Sequence, residues 1–389
     1  MKALARSVFL FVLPALMTIA GCGTGPANTS AGTSNPAPVT SCVTATAPEF
    51  AYLLNDNTLS MYTVNSCTGQ LSPISPGTIA TGANPEEMVV DPLGRFAYVA
   101  NLVSNAQDLA TISMYTIDSA TGVLTPTSPA TVPTGFFPQG ITIDPSGRFV
   151  YTANSDDNSI SMFTINPATG VLTPMQPASV ASGSSPDGIT VDPTGHYAYA
   201  ANQDDNTVSM YTISQTTGVL TPMATPTVRT GNSPFGVFID PGGKFAYVAN
   251  AYPFNNADGI SQYTIDAATG TLVPDAAPTA AAGNDPTAIA IDPTSRFAYV
   301  TNRQDNTVGM YSIDATTGML TSIATPVASG SMPFRLTFDP SGQFLYVVNE
   351  GAPASVFTVN RDGSLQAAGA VETGTNAVSM GLARVRTTQ

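Results

Sequence analysis

Apolar and polar positions along residues 186–231 fall into short alternating runs with no sustained helical period. Gly188-Ile189-Thr190-Val191 leads into the turn string Asp192-Pro193-Thr194-Gly195, and Tyr197 to Ala201 follows. Asp204-Asp205-Asn206 makes a second turn before Val208-Ser209-Met210-Tyr211-Thr212-Ile213. Thr216-Thr217-Gly218 then turns into Val219-Leu220-Thr221-Pro222. Runs rich in β-branched and aromatic residues, punctuated by Gly, Asp-Pro and Asp-Asn, predict four antiparallel strands joined by tight turns.

The same unit recurs along the chain. An aromatic-x-Tyr-x-x-Asn motif places its tyrosines at Tyr52, Tyr98, Tyr151, Tyr199, Tyr247, Tyr299 and Tyr346, between 46 and 53 residues apart. A period of this size marks a propeller or a solenoid. Four-stranded units repeated radially predict an all-β chain forming a seven-bladed β-propeller. Nothing before Phe50 resembles a first strand, and the apolar run from Asn376 to Ala383 has no second strand after it. The C-terminal run is therefore predicted to supply the inner strand of the first blade, closing the ring and removing an exposed edge. Bulky and small residues alternate in Phe245-Ala246-Tyr247-Val248-Ala249, as sheets about 10 Å apart require. The Phe, Tyr and Met positions are read as core between blades.

The first residues do not fit the repeat. Lys2 and Arg6 precede an apolar run from Ser7 to Ala20 that ends in Ile19-Ala20-Gly21-Cys22. The run is too short to span a bilayer comfortably. Its ending resembles the lipobox of bacterial lipoproteins, which implies acylation of Cys22 and stable anchoring through more than one acyl chain. Gly23 to Ser41 is an uncharged Gly/Ser/Thr/Pro tether. The expected organisation is a lipoprotein signal peptide over 1–21, an acylated N-terminus and flexible linker over 22–46, and the propeller over 47–386. Loss of Lys2 and Arg6 with the leader leaves 26 acidic against 10 basic side chains, and the chain has no Trp. With no cluster of Lys and Arg to neutralise phosphates, nucleic-acid binding is not expected.

The repeat resembles the YVTN type, and Tyr299-Val300-Thr301-Asn302 spells it outright. The longer unit, with Asp-Pro-x-Gly-Arg-Phe-x-Tyr, Asn-Thr-Val-Ser-Met-Tyr and Thr-Gly-x-Leu-Thr-Pro, resembles the seven-bladed lactonase family related to 6-phosphogluconolactonase. WD40 is disfavoured because its signature needs Trp. The lactonase resemblance implies a cation and a base where an inner strand begins, commonly as Pro-Arg-His. The matching positions here begin at Pro85, Pro138, Pro186, Pro234, Pro286 and Pro333, and none reads Pro-Arg-His.

Other chemistry is sparse. The single histidine, His196, lies in a turn between first and second strands, on the face opposite the inner-strand starts. No Ser-His-Asp triad can be assembled elsewhere, and no His- or Cys-rich metal site is present. Asp-Asn pairs at Asp56, Asp157, Asp205 and Asp305 recur at the same turn of their blades, which favours turn geometry over Ca²⁺ ligation. Glu87 and Arg335 occupy a position where other blades carry Gly or Ala. Small residues there are expected to leave the channel mouth open, so the two charged residues mark a candidate ligand site or a plug. Gln139, Asp187 and Glu350 are expected on the same rim.

The leading expectation is a cell-envelope lipoprotein whose propeller binds a small molecule or envelope protein at its channel face. The alternative is a lactonase using Glu87 or Asp187 as base and Arg335 as oxyanion stabiliser. No cofactor or metal is expected. The chain is expected to be a monomer tethered by its lipid to the outer membrane, on the periplasmic side or at the cell surface. A disulfide between Cys42 and Cys67 is expected from export to an oxidising compartment and from their placement on one face of the first blade.

Overall fold

The computed structural model describes residues 48–102, 110–251, 259–373 and 376–384. They form seven antiparallel sheets, each ordered from an inner strand to an outer one. Blades 2 to 7 begin with the inner strands Pro85–Val90, Pro138–Ile143, Pro186–Val191, Pro234–Ile239, Pro286–Ile291 and Pro333–Phe338. Blade 1 is composite. Its inner strand is Ser379–Arg384, paired antiparallel with Glu49–Asn55 so that Phe50 faces Ala383 and Tyr52 faces Gly381. The predicted closure by the C-terminal strand is thus what forms. One outer strand departs from the plan: in blade 6 it is split into Leu320–Ser322 and Val327–Ala328.

The repeat motif explains how neighbouring blades lock. The motif tyrosine of each blade donates its hydroxyl to a glycine carbonyl in the third-to-fourth-strand turn of the next. Tyr52 donates to Gly122 at 2.9 Å, Tyr199 to Gly270 at 2.6 Å and Tyr299 to Gly363 at 2.8 Å. The seam between blades 7 and 1 repeats this geometry, with Tyr346 donating to Gly69 at 2.8 Å. The motif aromatic packs on the same glycine, and a Cβ at Gly69 would lie 2.5 Å from the Phe344 ring. Gly69 also has φ +69, so position and conformation both demand glycine. The methionines take part as well: Met162 Sδ accepts from the Leu220 amide at 3.2 Å, and in blade 5 Gln262 Oε1 does the same for Leu320 at 2.7 Å. The Phe, Tyr and Met positions are buried between blades, as the alternation indicates.

The Asp-Asn turns are clamps. Asp157, Asp205 and Asp305 each accept at 2.7 Å from an amide in the loop leading into their own blade's inner strand. His196 lies exposed in the turn before Tyr197, its Nδ1 2.9 Å from Thr194 Oγ1. Cys67 lies in the turn after the third strand of blade 1, its amide donating to Asn65 Oδ1 at 2.9 Å. Cys22 and Cys42 lie outside the described residues.

Candidate functional site at the channel mouth

The inner strands of blades 2 to 7 start with the same local device. The residue before the first position has a left-handed backbone, for example Asn84 at φ 48, Ser185 at φ 54 and Asp285 at φ 57. In blades 2 to 7 a proline follows, where the lack of an N–H is harmless at a strand start. Within the next residues the pairing register shifts, as between Pro85 and Glu87 and between Pro333 and Arg335. A bulge of this kind re-aims side chains, and it delivers the two positions after proline to the channel mouth.

Small residues at the second of these positions do not serve to open the mouth. A Cβ on Gly140 would lie 2.5 Å from the Asp187 carbonyl oxygen, and one on Gly188 would lie 2.9 Å from that of Phe235. The inner strands converge there, and glycine permits their close approach.

Arg335 and Glu87 do meet, although they lie on blades 7 and 2. Arg335 Nη1 is 2.8 Å from Glu87 Oε1, and Glu87 Oε2 accepts from the Ile141 amide of blade 3 at 3.0 Å. The two side chains keep only 16% and 18% of their exposure. Burial raises the Glu87 pKa, with Arg335 and the Ile141 amide opposing the rise. Arg335 Nε is buried with no hydrogen-bond partner. Its guanidinium lies over two aromatic rings, 5.4 Å from the centre of Phe334 and 5.9 Å from that of Phe235. These rings meet edge to face at 5.3 Å. Thr287 of blade 6 holds the arrangement from behind, donating its hydroxyl to the Phe334 carbonyl at 2.7 Å.

Asp187 of blade 4 is the third charged member. It is buried, and its pKa is pushed up to about 8, by burial first, with Arg335 opposing and Glu87 and Glu86 adding to the rise. No donor among the described residues hydrogen-bonds its carboxyl. The charges of both members of the pair act on it, which couples three of the sequence-predicted residues electrostatically. Gln139 is half-buried at the corresponding strand start of blade 3. Glu350 belongs to an adjoining group instead: Arg303 Nη2 is 2.6 Å from Glu350 Oε2, and Arg303 Nη1 is 3.6 Å from Asp285 Oδ2. Arg303 also lies over Phe334, at 5.6 Å, so that ring carries both guanidinium groups.

The sequence reading missed Phe235, Phe334, Thr287, Arg303 and Asp285. One signal was available: position 303 follows the motif asparagine, and the equivalent residues of the other blades are Asp56, Leu102, Ser155, Gln203, Ala251 and Glu350, none of them basic. Among the described residues no cluster of three or more His, Cys, Asp or Glu could hold a metal ion.

Fold and site together define a closed seven-bladed propeller with a charged, aromatic-backed cluster at one channel mouth. The chain belongs to the family described as lactonase, 7-bladed beta-propeller, whose model matches residues 61–234 and 273–380. Among solved structures it is similar to a putative 6-phosphogluconolactonase from Bacteroides uniformis, with a TM-score of 0.71 and 19% identity over 86% of this chain and 99% of the other. It is similar to the periplasmic gluconolactonase of Pseudomonas aeruginosa, with a TM-score of 0.69 and 19% identity over 87% of this chain and 99% of the other. No curated protein matches it in sequence.

Proposed function

We propose that the channel mouth hydrolyses a lactone, with Asp187 as general base and Arg335 as the group that stabilises the oxyanion. The observation that carries this reading is the contrast between the two carboxyl groups. Both oxygens of Glu87 are occupied, by Arg335 and by the Ile141 amide. Asp187 has no such partner, retains its proton to about pH 8 and lies within the electrostatic reach of Arg335. A carboxyl group tuned toward the working pH suits proton transfer. The ionised Asp187 takes a proton from water as the water oxygen attacks the lactone carbonyl carbon. The carbonyl electron pair moves onto oxygen, where the guanidinium stabilises it. Collapse of this adduct breaks the ring C–O bond, and the departing alkoxide takes the proton back from Asp187. The product is an open-chain hydroxy acid. Membership of the lactonase family and the gluconolactonase-type neighbours support the same reading.

The test is turnover of δ-gluconolactone by the purified chain, corrected for spontaneous opening. Asp187→Asn should lower kcat by about 10²- to 10⁴-fold, and Arg335→Ala by about 10²- to 10³-fold. Folded variants that keep the wild-type rate would overturn the assignment.

A further inference from the structure

Building on the lactonase reading, we infer that this mouth selects an uncharged, polyhydroxylated lactone and rejects the same sugar carrying a phosphate. The inference rests on a census of cations. Outside the leader the chain has one Lys and nine Arg. Arg95, Arg148, Lys244 and Arg296 sit in first-to-second-strand turns, each stacked on the aromatic that follows it. Arg229 ends an outer strand, Arg361 lies in an exposed turn and Arg384 pairs with Glu49 at the closing strand. Arg386 lies outside the described residues. Among the described residues, Arg303 and Arg335 are therefore the guanidinium groups assigned to the mouth.

Both are already committed to carboxylates. Arg335 holds Glu87 at 2.8 Å, while Arg303 holds Glu350 at 2.6 Å and Asp285 at 3.6 Å. Asp187 is coupled electrostatically to the first pair, and the negative field of Glu86 reaches it as well. Five carboxyl groups thus face two guanidinium groups, and residues 103–109, 252–258 and 374–375 contain no Lys or Arg. A phosphate dianion needs an unneutralised cation or converging amides. Here it would have to break an existing ion pair and leave a buried carboxylate without its partner, which is costly. A neutral sugar lactone meets no such penalty. Its hydroxyl groups donate to the carboxylates without displacing either guanidinium.

Binding is measured by calorimetry on the full chain with two non-hydrolysable probes, gluconolactam and gluconolactam 6-phosphate. The neutral probe should bind at least about tenfold more tightly at low ionic strength, and the gap should narrow as salt screens the field. Equal or tighter binding of the phosphorylated probe, or failure of the neutral probe to bind, would overturn the inference. Binding of the neutral probe without any turnover of δ-gluconolactone would fail the hydrolytic reading alone. Glu350→Gln releases Arg303 from its closest partner, so the discrimination should shrink by several-fold. An unchanged ratio in a variant that binds the neutral probe normally would also count against the inference.

Discussion

Asp187 couples chemistry to stability through one proton. The unfolded chain releases it near the ordinary value of 3.8, whereas the folded chain keeps it to about 8. Between those values the native state binds more protons, so this group's contribution to stability is lost as pH rises. Turnover should run the other way, rising with pH through about 8 as the base ionises. Asp187→Asn removes the group, so its gain in melting temperature over wild type should be larger at pH 9 than at pH 5. A gain that is flat across this range would show that Asp187 does not hold its proton. Glycines 140 and 188 give a second test at this scale. Gly140→Ala presses a methyl group onto the Asp187 backbone, and the expected outcome is destabilisation by about 1–3 kcal/mol, read from denaturant melts, and not a merely narrower mouth.

At the scale of strands, much was legible before any coordinates. The tyrosine period, the turn strings and the missing first strand before Phe50 were sufficient to count the blades and find their closure. They work because each blade must present the same residues to its neighbour, so packing is written as repetition. Breaks in that repetition found Glu87 and Arg335. The rest was hidden for physical reasons. In blades 2 to 7 a bulge at the inner-strand start shifts the register by one, and a one-residue slip exchanges the faces on which side chains lie. Hence the glycines looked like openings although they are contacts, and the stacking of Arg335 over Phe235 and Phe334 left no mark in the repeat. Arg303 meets Phe334 only because two blades curve around one axis. The closing strand carries its own prediction. Removing residues 376–389 deletes the partner of Glu49–Asn55 and exposes a buried edge. The expected result is loss of cooperative unfolding in thermal melts, far beyond what a surface tail would cause.

At the scale of the whole molecule, we propose that the chain is attached to the envelope through its N-terminal cysteine. Acylation at Cys22 would place the propeller at a membrane surface by lipid alone. Cys22→Ser should abolish incorporation of a clickable palmitate analogue, and equal labelling of wild type and variant would refute the anchor. We also propose that Cys42 bonds Cys67, the cysteine in the third-strand turn of blade 1. That bond would fasten the segment before Glu49 to the composite blade and contribute about 3 kcal/mol for a loop of this length. Non-reducing peptide mapping should recover the linked pair, and two alkylatable thiols in freshly isolated protein would count against it.

The order in which the chain is made gives the composite blade a further meaning. A ribosome delivers Glu49–Asn55 long before Ser379–Arg384, and domains generally fold as units. Until the second segment arrives, the polypeptide is an open arc whose two ends are unpaired strand edges. Any message read short, or any product clipped near its tail, stays in that state and remains open to proteases. Only a molecule made at least as far as Arg384 can shut itself. The ring therefore acts as a check that synthesis has passed its closing strand.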